Sequence, residues 1–321
     1  MFTLISRPLG SVDRLVIRHE ETGAELEILS GWGAGLNAWR MPEKDSFIDL
    51  LSGYPDEETF RKTQADTSAG VILSPFPGRT DHAQWTWKGK TYKLDNNVSW
   101  APHALHGFLH TRPWKMVSFT SDNTIAGLTL SCNWDGAHPG FPFPYAAETR
   151  FALLENSFMV FSEITNTGRE EMPYAEGWHP YFSLGKPVDE LELQFPIAKK
   201  SITDDEDIPT GKYEEENRFE NGASLNGISL NESILLDDSC DGIVTTLSDP
   251  EEKRQLIITQ NGGREDGFNA LQLYTPPDRK SIAIEPMTGE PDMLNHHRGL
   301  IVIPPGEKRC FSWHVQYEKR D

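Results

Sequence analysis

Four short segments set titratable side chains beside strand ends and aromatic rings. SPFPGRT (74–80) delivers Arg79 after a Pro/Gly turn, and HALHGFLH (103–110) carries His103, His106 and His110. EGWHPYF (176–182) holds His179 between Trp178 and Tyr181, and SIAIEPMT (281–288) ends an apolar alternating run on Glu285. In IAIEP, Ile282 and Ile284 share one strand face while Ala283 and Glu285 share the other. Glu285 is therefore expected at a rim or in a concave face, where partial burial raises a carboxyl's pKa toward that of a useful base. His179, flanked by Trp, Pro and Tyr, is expected to be partly buried. Each residue alone has a commoner fate: strand-end acids face water, and aromatic-flanked histidines bond a backbone carbonyl. Arg79 alone reads as a surface cation, and Asp237 and Asp238 in LLDDSC as turn residues.

The spacing of His103, His106 and His110 would align them on a helix, but Pro102 and Gly107 disfavour one. On a strand, His103 faces away from the other two. With no H-E-x-x-H, a metal site is disfavoured, and His106 reads better as a hydrogen-bonding group in a cleft. No phosphate loop and no G-x-S-x-G elbow occurs, so nucleotide chemistry and serine hydrolysis have no support.

The elements that must position these residues are strands. Short alternating runs rich in β-branched and aromatic residues recur at 14–29, 82–94, 124–134, 145–166, 191–196, 242–249, 254–261, 270–276, 281–286 and 310–318. Hairpins are predicted around Thr22-Gly23, Lys88-Gly89 and Glu155-Asn156. One helix is predicted over 55–67, with acids in its first turn. No repeat or low-complexity linker divides the chain, so its 321 residues read as one all-β domain, an extended antiparallel sandwich with few short helices.

The formal charge is −19, from 49 acidic and 30 basic residues, which argues against nucleic acid or an anionic membrane as partner. The acidic stretch 204–220 reads as a solvated loop. Cys132, Cys240 and Cys310 read as reduced, buried small hydrophobes. No secretory signal and no membrane span is apparent, so the expected compartment is the cytoplasm.

Taken in order, GR (78–79), the hairpin ending in GKTYKL, ALHGF (104–108), GWHPYF (177–182), LDD (236–238), LQLYT (271–275) and IAIEP (282–286) resemble the aldose 1-epimerase family of galactose mutarotase-like proteins. The resemblance runs over nearly the whole chain. It implies a supersandwich of large antiparallel sheets with the site in a concave cleft and no cofactor. It further implies Glu285 as general base, His179 as general acid, His106 as a donor to the ring oxygen, and Arg79 and Asp237 (or Asp238) as groups holding sugar hydroxyls. The aromatic neighbours Trp178 and Tyr181 are what a sugar ring stacks on. His103 where the family often has Asn, and Ser183 where it has Asn, put the identity of the sugar in doubt.

The chemistry suits these residue types. Opening a hemiacetal ring removes a proton from the anomeric hydroxyl and delivers one to the ring oxygen, which a carboxylate and an imidazolium on opposite sides of the ring can do together. A free aldose such as galactose or glucose is the expected substrate, for a monomer or homodimer. The rivals are a hexose-6-phosphate mutarotase, with Arg40, Arg61 and Arg112 as candidate phosphate groups, and a non-catalytic sugar-binding sandwich.

Overall fold

The computed structural model describes residues 1–44, 46–236, 242–262 and 267–319. Three large sheets dominate it. The first is a five-stranded antiparallel meander in chain order, from Phe2–Ser6 to Ser46–Asp49. The second has nine strands, running from the edge strand Lys115–Ser121 through Ala126–Trp134, Tyr145–Leu153 and Ser157–Asn166 to Lys308–Lys319. It continues through Arg254–Gln260 and Ile243–Asp249 to two short strands. The third has eight and carries the site, with Asn231–Leu235, Ala270–Tyr274 and Ile282–Met287 side by side. Gly177–Trp178 and Tyr181–Phe182 both pair with Ile282–Met287.

The predicted hairpins form. Gln84–Trp87 pairs with Lys90–Lys93 across Lys88 and Gly89, both at positive φ, as a two-residue turn of the primed type requires. Tyr145–Leu153 pairs with Ser157–Asn166, and Leu15–His19 with Glu25–Leu29. The predicted helix spans Glu57–Thr67, its first turn capped by the Asp56 carboxylate accepting from the Thr59 amide at 2.7 Å. A second helix is the single turn Met293–His296. No helix among the described residues is long and apolar enough to cross a membrane.

Alternation along the nine-stranded sheet buries Phe158, Val160 and Ile164 from one strand and Leu256 and Ile258 from another. Facing sheets meet through aromatic pairs. Trp178 lies 5.9 Å from Phe151 and 6.1 Å from Trp313, while Trp39 of the meander packs edge-on against Phe158 at 4.9 Å. Cys132 is buried as expected, but Cys310 is exposed, because it occupies an outward position on Lys308–Lys319; Cys240 lies outside the described residues. The acidic stretch is not all loop: Pro209–Glu216 is a strand paired with Ala198–Thr203, with Glu214 salt-bridged to Lys200.

Candidate active site

A cavity of about 380 Å³ opens on the eight-stranded sheet, bordered by Arg79, His106, His179, Tyr181 and Glu285 together with Trp100, Asn231, Gln272 and Tyr274. Its size falls within the ~300–1,000 Å³ of small-molecule sites.

Glu285 reaches it by strand alternation. Ile282 and Ile284 point into the core, so Glu285 and Met287 face the cavity. His179 stands between the two short strands, with its backbone tied to Val71 and Gly70 at 3.1 and 2.8 Å. Its imidazole stacks on Tyr181 at 5.0 Å and brings Nε2 within 3.5 Å of Glu285 Oε1. Both side chains are nearly sealed from water, at 10% and 4% exposure. Burial pushes the Glu285 carboxyl well above the usual carboxylate range, with Arg79 opposing, and pulls His179 down to about 4. Desolvation thus favours the uncharged form of each partner. The two groups stand side by side on one wall of the cavity.

His106 is held by a reciprocal clamp with Gly78. Its amide donates to the Gly78 carbonyl at 3.0 Å, and the Gly78 amide donates to His106 Nδ1 at 3.2 Å. An occupied Nδ1 leaves the proton on Nε2, so His106 is a fixed donor. Burial, with the neighbouring His179, His110 and Arg79, holds its pKa well below the ordinary histidine value and keeps it neutral. The turn that delivers it puts both His106 and Gly107 at positive φ (62° and 68°), and a Cβ on Gly107 would lie 2.2 Å from the Ser74 carbonyl oxygen.

Arg79 is registered opposite Leu105 in a two-stranded ladder, which fixes it relative to His106. Its Nη2 donates to Asp207 at 2.9 Å, and its guanidinium lies 5.4 Å from the Trp100 ring centre. Asp207 also accepts from Asn231 at 3.3 Å, Asn231 accepts from Gln272 at 3.1 Å, and Gln272 accepts from Ser233. This polar rim was not foreseen. Gln272 sits directly opposite Glu285 in the ladder between Ala270–Tyr274 and Ile282–Met287, a placement that only register reveals. Asp207 belongs to the acidic stretch read as solvated loop, yet it pairs with an arginine 128 residues away.

One expected residue is not brought to the cavity. Trp178 is fully buried on the core side, its Nε1 donating to Glu176 at 3.2 Å; strand alternation sends it away from the face His179 occupies. Asp237 and its alternative Asp238 lie outside the described residues. Of the other histidines, His110 lies edge-on to His106 at 6.3 Å, and His103 is turned toward Asp81 and His82 instead. Those three place candidate ligand atoms within 4.8 Å of one another, but the His103 Nδ1 lone pair already accepts the His82 amide at 3.1 Å.

Residues 13–316 match the family model described as aldose 1-epimerase. The uncharacterised protein YphB of Escherichia coli (strain K12) is 27% identical over 275 residues, spanning 80% of this chain and 87% of that one. A galactose mutarotase-like protein from Clostridium acetobutylicum superimposes with a TM-score of 0.85 at 16% identity, covering 100% of this chain and 99% of the other. Galactose 1-epimerase from Lactobacillus acidophilus NCFM gives 0.81 at 17% identity, with 100% and 99% covered. The sheet architecture is therefore that of the galactose mutarotase-like fold, and with the family model matched almost end to end, the chain belongs to the aldose 1-epimerase family.

Proposed function

We propose that this protein interconverts the α and β anomers of a free aldose, with Glu285 as base, His179 as acid and His106 as a donor to the ring oxygen. The observation that carries this reading is the 3.5 Å separation of His179 Nε2 and Glu285 Oε1 inside a cavity. The two oxygens that exchange protons in ring opening, the anomeric hydroxyl and the ring oxygen, are bonded to the same carbon. An acid and a base meant to serve both must stand close together, as these do.

Glu285 takes the hydroxyl proton as His179 protonates the ring oxygen, and the C1–ring-oxygen bond breaks to leave an aldehyde. The pair ends as a neutral carboxylic acid facing a neutral imidazole, the form that burial favours in each. The two buried charges are thus neutralised as the protons move. Rotation about C1–C2 presents the other face of the aldehyde, and closure returns both protons. Arg79 and the Gln272–Asn231 rim supply donors and acceptors for ring hydroxyls, and Tyr181 supplies an aromatic wall.

The phosphorylated-sugar reading needs cations converging on the cavity. Arg40 is engaged by Glu25, Glu27 and Asp49, and Arg61 by Glu57. Arg112 lies over Trp134 at 4.7 Å in an adjoining cavity of about 470 Å³ that shares Leu105 and His106 with the site. One cation in a neighbouring space supports the unphosphorylated sugar better. Polarimetry of freshly dissolved α-D-glucose, α-D-galactose and α-D-glucose 6-phosphate tests the reading. Acceleration of a free sugar is expected; acceleration of the phosphate alone contradicts the substrate, and response to none of them favours a non-catalytic sugar-binding protein.

A further inference from the structure

Beneath the cavity, on the core side of the segment that carries His179, lies a carboxyl group that the proposed chemistry does not use. Glu176 is fully buried, with Oε2 accepting from the Tyr174 hydroxyl at 2.8 Å and Oε1 from Trp178 Nε1 at 3.2 Å. The Tyr174 hydroxyl continues to Ser74 Oγ at 3.1 Å, and Ser74 Oγ to the Tyr145 hydroxyl at 3.0 Å. The Ser74 carbonyl accepts the Phe108 and Leu109 amides at 2.7 and 3.2 Å, anchoring the turn that presents His106. The Glu176 carbonyl accepts from the Thr288 amide at 2.9 Å, three residues beyond Glu285. Trp178, which the carboxyl grips, immediately precedes His179.

We infer that Glu176 is a positioning residue for the acid–base centre: its carboxyl holds the His179 segment through Trp178 and reaches the His106 turn through Tyr174 and Ser74, while its backbone carbonyl holds the segment that follows Glu285. The inference rests on the anomerase reading above. The hydrogen-bond chain has a direction that depends on the proton of Glu176. The indole N–H can only donate, so Oε1 always accepts. With Glu176 ionised, Tyr174 donates to it and must accept from Ser74. With Glu176 protonated on Oε2, the acid donates to Tyr174, Tyr174 to Ser74, and Ser74 to Tyr145. Protonation at one end thus reverses the bonds at the serine whose backbone holds the His106 turn.

The groups facing Glu176 set the balance. Tyr174 and Trp178 lie on its own segment, Ser162 lies on Ser157–Asn166, and Ser74 and Tyr145 extend the chain, with Cys132 and Arg112 facing Tyr145. Burial pushes both phenols up, so they stay protonated, and no charged group acts on the Glu176 carboxyl directly. Burial pushes its own pKa up to about 7. The protonated chain is the relaxed arrangement, and ionisation inserts an uncompensated charge into it.

The test compares full-length wild type, Glu176→Gln and Tyr174→Phe on α-D-glucose and α-D-galactose between about pH 6 and about pH 9, with the uncatalysed rate subtracted. Glutamine mimics the protonated acid, accepting from Trp178 and donating to Tyr174. The ratio of wild-type to Glu176→Gln kcat is expected to fall about threefold or more across this range, with KM moving less than about twofold, the ratio cancelling the Glu285 and His179 titrations that both proteins share. Tyr174→Phe, which cuts the chain at its middle, is expected to lose about threefold or more in kcat throughout, and it decides the matter should the glutamine variant fail to fold. A Glu176→Gln profile superimposed on wild type, or an unchanged kcat in Tyr174→Phe, overturns the inference. Glu285→Gln run alongside separates the two claims: if it is inactive while Glu176→Gln behaves as wild type, only the positioning role fails; if it is fully active, the anomerase mechanism itself fails.

Discussion

The buried Glu176 carboxyl also makes a quantitative prediction about stability. Its pKa stands at about 7 in the folded chain against an ordinary 4.5, so the folded state binds the proton more tightly than the unfolded one. The resulting stabilisation is fully present below about pH 4.5, is lost as pH rises through the interval, and is gone above about pH 7. A gap of two to three units, at about 1.4 kcal/mol per unit, amounts to about 3 kcal/mol, most of it lost between about pH 5 and pH 8. Glu176→Gln removes the titration while keeping the shape and the acceptor for Trp178. Near pH 5 the variant and wild type should agree within about 1 kcal/mol, the scale of one altered hydrogen bond. Near pH 8 the variant should be the more stable by roughly 2–3 kcal/mol. Urea unfolding followed by tryptophan fluorescence at both pH values, with unchanged m, measures the difference and cancels the other titrating groups. A difference that stays constant with pH, or a variant that is the weaker at pH 8, refutes the reasoning.

Two further outcomes follow from the site's supports. Gly107→Ala forces a Cβ toward the Ser74 carbonyl at a positive φ, so it should lower stability by about 1–3 kcal/mol and reduce kcat through His106, read by thermal melts and polarimetry; a neutral effect on both would show that the turn is not constrained as described. Asp207→Asn leaves Arg79 without its carboxylate partner, and should raise KM about two- to fivefold with kcat within about twofold, since the guanidinium is mislaid rather than removed; an unchanged KM would show that Arg79 needs no such anchor.

Much of the fold is legible locally. Alternation with turn residues marks the hairpins at Lys88-Gly89 and Glu155-Asn156, and the Asp56 cap with its acidic first turn marks the helix. The face of Glu285 follows from alternation within IAIEP alone. The same rule, applied one residue back from His179, sends Trp178 to the core. What local pattern does not contain is the pairing of distant segments. Gln272 meets Glu285 only through the register of two strands, and Asp207 meets Arg79 only because the fold brings the turn after Ala198–Thr203 beside it. The chain that extends from Glu176 is likewise not local, since its outer members Ser74 and Tyr145 are separated by 71 residues. The 3.5 Å approach of His179 to Glu285 is also absent from local pattern, since it follows from the pairing of Tyr181–Phe182 with Ile282–Met287.

The most direct measurement of the central claim is anomer exchange by NMR on α-D-glucose and α-D-galactose with wild type, Glu285→Gln and His179→Asn, each checked for native circular dichroism. If the close pair moves both protons, exchange above the uncatalysed rate should vanish in Glu285→Gln and fall by about 10²-fold or more in His179→Asn. Wild-type exchange in both folded variants would contradict the mechanism.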